Sequence, residues 1–151
     1  FDVRGMVQLK HKDLRTNLPS GVRNIRIAQT CNALHFLHSS LRTPGNGATI
    51  ATYVVTYDDN STETVKAVVG HDIGHIYSSE ATQPPPPPVI AWRGQTAYTK
   101  WRGDKDSKTI MACLYEMTWT NPHPEKPVKS LDFVSADTEH AAPVLFAITA
   151  E

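Results

Sequence analysis

At 151 residues the chain has the length of one domain, and a globule of that size buries roughly 68 to 70% of its unfolded surface, enough for a core without staples. Its 40% hydrophobic and 20% charged composition is that of an ordinary soluble globular protein, and no apolar run approaches the roughly 18 residues of a membrane-spanning helix. Fifteen basic against fifteen acidic side chains give no net charge, so no global field attracts nucleic acid or an anionic membrane, and neither is expected as a partner.

Residues 1–9 alternate well enough for a first strand, with Val3 and Val7 in phase and Gly5 between them where a bulge is easy. Charged, turn-rich text follows, ending in Pro19-Ser20-Gly21. From Asn24 to Ser40 an extended pattern resumes, with Ile25 and Ile27 in phase and then Leu34 and Phe36. His35 and His38 stand three apart there and so face opposite sides of a strand, which removes them as a joint site. After the loop RTPGNG comes the best hairpin signal, TIATYVVTYDDNSTETVKAVV. Tyr53, Val55 and Tyr57 share one face, and Asn60 tolerates the left-handed backbone the turn requires. Helix is a poor alternative, because β-branched residues dominate and the period is two.

Residues 70–88 read as irregular and end in five consecutive prolines, Pro84 to Pro88, which form an exposed polyproline II arm of about 15 Å. VIAWRG reads as a short strand from Val89, and AYTKWRGDKDSK as a charged connection. The last forty-odd residues then read as three strands joined by two irregular polar connections. In the first of them Met111, Cys113, Tyr115, Met117 and Trp119 fall on one face, with Ile110, Ala112 and Leu114 on the other. Leu131 and Phe133 alternate with Asp132, and Val144, Phe146 and Ile148 with Leu145, Ala147 and Thr149. About eight short strands with turn chemistry between them predict an all-β fold, an antiparallel β-sandwich of jelly-roll type. Cys31 and Cys113 sit inside strand-like runs and read as buried thiols in preference to a disulfide.

The phrases LHFLHSS, TYVVTYDDNSTETV, AWRG, LYEMTWTNPHPEKPVKSLDFVS and AAPVLFAIT, in that order, resemble a bacterial galactose-binding-like β-sandwich module. The resemblance covers most of the chain from Asn24 to Glu151 and implies a jelly roll attached to a large exported multidomain protein. It implies a carbohydrate-binding module, often with a structural calcium, in a secreted or cell-surface setting. The chain opens directly in a strand-like pattern at Phe1, so residues 1–151 are expected to be one sandwich module excised from a longer polypeptide.

Sugar recognition needs flat apolar faces for the C–H surfaces of pyranoses and fixed polar groups for the hydroxyls. Three segments offer both. HDIGHIY brings Asp72, His75 and Tyr77; AWRGQTAYTKWRG brings Trp92, Arg93, Tyr98, Trp101 and Arg102; TWTNPHP brings Trp119, Asn121 and His123. Trp101, between Lys100 and Arg102 with no apolar alternation to bury it, is the leading platform, with Tyr77, Arg102 and His75 as its partners. Trp92 follows Val89, Ile90 and Ala91, which favours core packing, and Trp119 continues the buried stripe of Tyr115 and Met117.

His71 and His75 have an i, i+4 spacing useful to a metal only on a helix, which Gly70 and Gly74 oppose. Asp104-Lys105-Asp106-Ser107 is a fragment of a calcium loop without its later glutamate and glycine, and Asp137, Thr138 and Glu139, with backbone carbonyls, form a second segment open to calcium. No nucleophile elbow and no Cys-His arrangement is present, and Glu63, Glu80, Glu116, Glu125 and Glu139 are scattered, so catalysis is not expected. The sequence therefore predicts a noncatalytic module that binds a polysaccharide or oligosaccharide on behalf of a parent enzyme or surface protein. The alternative is a structural sandwich that docks a neighbouring domain through the proline arm, and a weaker one is a small glycan lyase or hydrolase.

Overall fold

A computed structural model describes residues 1–12, 17–77, 88–97, 109–137 and 140–151, the side chains of 96, 97, 109 and 110 excepted. The described residues hold nine strands and no helix. In chain order these are β1 (Val7–Gln8), β2 (Gly21–Gln29), β3 (Ala33–Ser40), β4 (Thr49–Tyr57), β5 (Thr62–Val68), β6 (Val89–Ala97), β7 (Thr109–Thr120), β8 (Val128–Ser135) and β9 (Pro143–Ala150). They form two antiparallel sheets, one of five strands in the order β1-β9-β3-β7-β6 and one of four in the order β2-β8-β4-β5. The chain is an antiparallel β-sandwich, as its alternating apolar pattern demands.

The core lies where the inner faces meet. Ala51, Tyr53, Val55 and Tyr57 alternate along β4, all fully buried, and register sets Tyr53 against Phe133 and Val55 against Leu131 on β8. In the five-stranded sheet Phe36 lies opposite Met117, and Leu34 opposite Trp119. Phe36 stacks on Tyr53 across the two sheets with ring centroids 4.2 Å apart, and Tyr53 stacks in turn on Phe133 at 5.0 Å. Such pairs add about 0.5–1.5 kcal/mol each beyond the area they bury. The β4–β5 hairpin forms as its turn residues require, with Asn60 at φ 64°.

Four sequence expectations need correction. Only Val7 and Gln8 pair with β9, so the first strand shrinks to two residues, and Phe1, Val3 and Met6 are exposed. The extended run from Asn24 to Ser40 is two strands in opposite sheets, broken at residues 30–32, and Cys31 lies in that connection, not in a strand. Both cysteines are buried free thiols. Trp119 packs on the core as expected, whereas Met111, at the start of the same stripe, is 40% exposed. Of the proline arm, only Pro88 lies within the described residues, and it is buried.

One irregularity shapes the five-stranded sheet. β3 and β7 pair from Ala33↔Thr120 to His38↔Tyr115 and then part. Residues 74–76 enter the gap: Ser40 N–H donates to Gly74 O (3.0 Å), Ile76 N–H to Ser40 O (2.8 Å) and Cys113 N–H to Ile76 O (2.7 Å). The Tyr115 hydroxyl donates to His75 O (3.1 Å) and the Ser39 hydroxyl to Cys113 O (3.1 Å), so the wedge is bonded to both strands where their ladder ends.

Candidate functional site

Register alone defines the outer face of the five-stranded sheet. Trp92 on β6 lies opposite Leu114 on β7; Val89, Glu116, Leu37 and Ala147 form the next row; Thr118, His35 and Thr149 form the row beyond. The first end is an apolar groove of about 590 Å³, floored and walled by Leu37, Ile76, Trp92, Ala112, Leu114 and Phe146. Trp92 is 50% exposed in it, against the expectation of core packing, because β6 is the edge strand and this face of β6 looks away from the other sheet. A Cβ on Gly94 would fall 2.2 Å from Cη2 of Trp92, so the indole lies against the bare backbone of Gly94 two residues on. Glycine here provides the close approach that keeps the ring down.

The other end of the face is polar. His35 Nε2 lies 2.9 Å from Glu151 Oε2, while Nδ1 lies 3.0 Å from the Thr118 hydroxyl and 3.2 Å from Glu116 Oε1. The ring is held from both sides, and the two carboxylates keep solvent exposure, Glu151 more than Glu116. From the Leu114 row to the Thr118 row is four residues of β7, about 14 Å at the usual rise. A flat aromatic platform thus shares one surface with carboxylates, a hydroxyl and an imidazole.

The seven residues singled out from the sequence do not converge. Trp101 and Arg102 lie outside the described residues, as do Tyr98, the calcium-loop fragment Asp104 to Ser107, Thr138, Glu139 and Pro84 to Pro87. Trp92 reaches the groove. Arg93 follows it on β6 in register with Cys113, on the opposite face. Ile76, not its neighbours His75 and Tyr77, lines the groove. His75 Nδ1 accepts from Tyr77 N–H (2.9 Å), and burial lowers the pKa of the ring against the backbone hydrogen bonds at Leu41 and Tyr77.

Asp72 is a turn residue: its carboxylate accepts from Val68 N–H (2.9 Å) and meets His71 Nδ1 at 2.6 Å, and its side chain is mostly buried. Its carbonyl accepts from Nε2 of His38 (3.0 Å), whose Nδ1 accepts from the Tyr53 hydroxyl (2.9 Å). His38 and Tyr53 are fully buried, and this chain is structural. Burial lowers the His38 pKa to about 4, against the Asp72 carbonyl bond and carboxylate charge, and drives Tyr53 well above its usual range.

The residues of TWTNPHP are also framework. Buried Asn121 accepts from the Tyr57 hydroxyl (2.6 Å) and His123 N–H (2.9 Å), and donates to Cys31 O (2.9 Å) and His123 O (3.2 Å). Tyr57, pushed up to about 12 by burial and then by the charges of Glu63 and its neighbours, packs edge-on against the His123 ring. Asp137 and His140 hold left-handed turns, at φ 51° and 66°, and Asp137 N–H donates to Ser135 Oγ (3.1 Å). Among the described residues no three His, Cys, Asp or Glu side chains gather as a metal needs.

His35, Glu116, Thr118 and Glu151 escaped sequence reasoning as a group. They are distant in sequence, and the pairing of β3 with β7, which puts His35 against Thr118, and with β9, which ends at Ala150 beside Leu34, assembles them. Compared with known proteins, the chain matches no family model, no curated protein and no solved structure.

Proposed function

We propose that the chain is a noncatalytic carbohydrate-binding module that holds an oligosaccharide or polysaccharide along the outer face of its five-stranded sheet. The observation that carries this reading is Trp92, half-exposed and resting against Gly94 at one end of a surface that ends in Glu116, His35, Thr118 and Glu151. A pyranose stacked on the indole has its C–H face desolvated, and a sugar further along the chain meets hydrogen-bonding groups about 14 Å away. The strand order supports a jelly-roll reading of the sandwich, with β1-β9-β3-β7 facing β2-β8-β4-β5 and β6 added at the edge. Delivery of a parent enzyme or surface protein to a glycan outside the cell is the role that fits such a module. Calcium has no part in the proposal: of the oxygen donors considered for it, Asp137 alone lies within the described residues.

Affinity electrophoresis and calorimetry against a panel of soluble polysaccharides and oligosaccharides test the reading. Binding by the native chain and its loss in Trp92→Ala, with the fold unchanged by circular dichroism, is the expected result; full affinity in that variant overturns the placement.

A second reading has its own support. The groove around Trp92 is walled almost wholly by apolar side chains, with Phe1 and Val3 contributing and themselves exposed, which suits an apolar protuberance of a neighbouring domain. Silence across the glycan panel, together with release of such a domain by Leu114→Lys, would establish docking in place of sugar binding.

A further inference from the structure

The tip of the β4–β5 hairpin carries a chemical signature that its turn does not require. Of the six asparagines in the chain, Asn60 alone is followed by a residue other than proline and then by a hydroxyl residue, as Asn60-Ser61-Thr62. That spacing is the acceptor motif for N-linked glycosylation, which has meaning only on an exposed turn of an exported protein. Asn60, Ser61 and Thr62 are all exposed. Asn60 N–H donates to Tyr57 O (2.9 Å) and Tyr57 N–H to Ser61 O (3.0 Å), so residues 58–60 form a three-residue hairpin loop that ends with Asn60 in the left-handed region, at φ 64°. Asn60 Oδ1 accepts from Lys129 Nζ (3.1 Å); an ammonium only donates, so Nδ2 is the end of the amide turned away from Lys129. The Ser61 hydroxyl and N–H both donate to Asp59 Oδ1, which holds the intervening residue back on the turn. Thr62 opens β5 on its outward side with Thr64 and Lys66, while Val65 and Ala67 turn into the core. The amide and the threonine hydroxyl of the motif thus stand on exposed side chains at either side of a serine that is tied down.

We infer that Asn60 is an acceptor site for an N-linked oligosaccharide. The co-reactant is an oligosaccharide carried on a polyprenyl diphosphate. Nδ2 forms a bond to C1 of the reducing-end sugar, and the bond from C1 to the diphosphate oxygen breaks. The polyprenyl diphosphate leaves with that electron pair, and the amide proton passes to a base of the transferase. Substitution at Nδ2 spares Oδ1, so the contact with Lys129 survives it. The hairpin belongs to the four-stranded sheet and the Trp92 groove to the outer face of the other, so the attached glycan grows from the far side of the sandwich. The site rests on the exported setting proposed above and not on Trp92 or on ligand binding.

The test supplies both enzyme and donor, so its failure is distinct from a failure of export or of carbohydrate binding. The purified, folded chain is incubated with a single-subunit oligosaccharyltransferase and a polyprenyl-diphosphate-linked oligosaccharide, beside a peptide spanning Thr56 to Thr64. The intact mass of both gains one oligosaccharide, and peptide N-glycosidase in oxygen-18 water leaves a labelled aspartate in place of Asn60. Asn60→Gln abolishes the gain, although it changes the side chain held at φ 64° in the turn. Thr62→Ala alters an exposed side chain beyond the turn and abolishes the gain as well, whereas Thr62→Ser keeps it. Modification of the peptide but not of the folded chain shows the hairpin tip to be closed to a transferase and overturns the inference. Absence of modification from both, a gain elsewhere in the chain, or a gain that persists in Thr62→Ala overturns it too.

Discussion

Acidification provides the sharpest test of the buried framework, through His38. The imidazole is completely buried, takes a hydrogen bond from Tyr53 on one side and donates to the Asp72 carbonyl on the other, and remains neutral down to about pH 4. In the unfolded chain the same ring binds a proton near its ordinary 6.5. Between these values the unfolded state holds more protons than the folded one, so stability rises with pH. The contribution is fully present above pH 6.5, is lost as pH falls toward about 4, and changes no further below. At about 1.4 kcal/mol per pH unit, the difference between 6.5 and about 4 amounts to about 3 kcal/mol, a large share of the ~5–15 kcal/mol that holds a typical domain. Urea unfolding at pH 7.5, 6.5, 5.5 and 4.5, followed by circular dichroism, reads the loss directly. His38→Gln, whose amide oxygen can accept from Tyr53 and whose amide nitrogen can donate to Asp72, lacks the titration and should show a much shallower profile. His75, also lowered by burial, acts with the same sign and persists in that variant. Parallel profiles for the two proteins would refute the reasoning, as would an imidazole signal of His38 titrating near 6.5.

Asn121→Ala removes four hydrogen bonds and leaves the Tyr57 hydroxyl and Cys31 carbonyl unanswered, and a loss of about 3 kcal/mol in urea unfolding is expected. Gly94→Ala drives a methyl into the indole at 2.2 Å; glycan affinity should fall while the unfolding midpoint moves little, since the displaced ring swings into solvent on an exposed edge strand. Asn60→Val puts a β-branched residue at φ 64° in the β4–β5 turn and should cost about 1–2 kcal/mol, which thermal unfolding would register. Phe36→Ala removes the ring that ties the two sheets through Tyr53 and should cost about 3–5 kcal/mol by the same measurement.

The fold was legible wherever one face of a strand meets the core and the other meets solvent. Tyr53, Val55 and Tyr57, or Leu131 and Phe133, report period two because burial acts on alternate residues, and each of these is fully buried. Legibility failed where that coupling failed. Val3 alternates with Val7, yet only the short contact of β1 with β9 is made, so the pattern did not mark a strand. Trp92 sits in an apolar run and was expected inside, but its strand lies at an edge where neither alternation nor hydrophobicity says which sheet, if any, covers it. Asp72 looked like an available polar group; the local fold consumes it as a turn clamp, its carbonyl bridged to the core by buried His38.

The candidate surface depends on a feature no periodicity encodes. If β3 and β7 continued in register past His38 and Tyr115, the outer face would remain an unbroken ladder there. Residues 74–76 instead occupy the space between Ser40 and Cys113, and Ile76 becomes part of the groove beside Leu114 and Trp92. The wedge is held by the turn that Asp72 clamps, and that turn is anchored to the core by His38. The buried histidine and the exposed tryptophan are therefore mechanically linked. In the folded chain His38 stays neutral down to about pH 4, so its bond to the Asp72 carbonyl persists and ligand affinity at Trp92 should hold from pH 7 to 5 while stability falls, and decline only near 4. Affinity that falls in step with stability from pH 6.5 would refute this, showing that the wedge opens locally before the fold does.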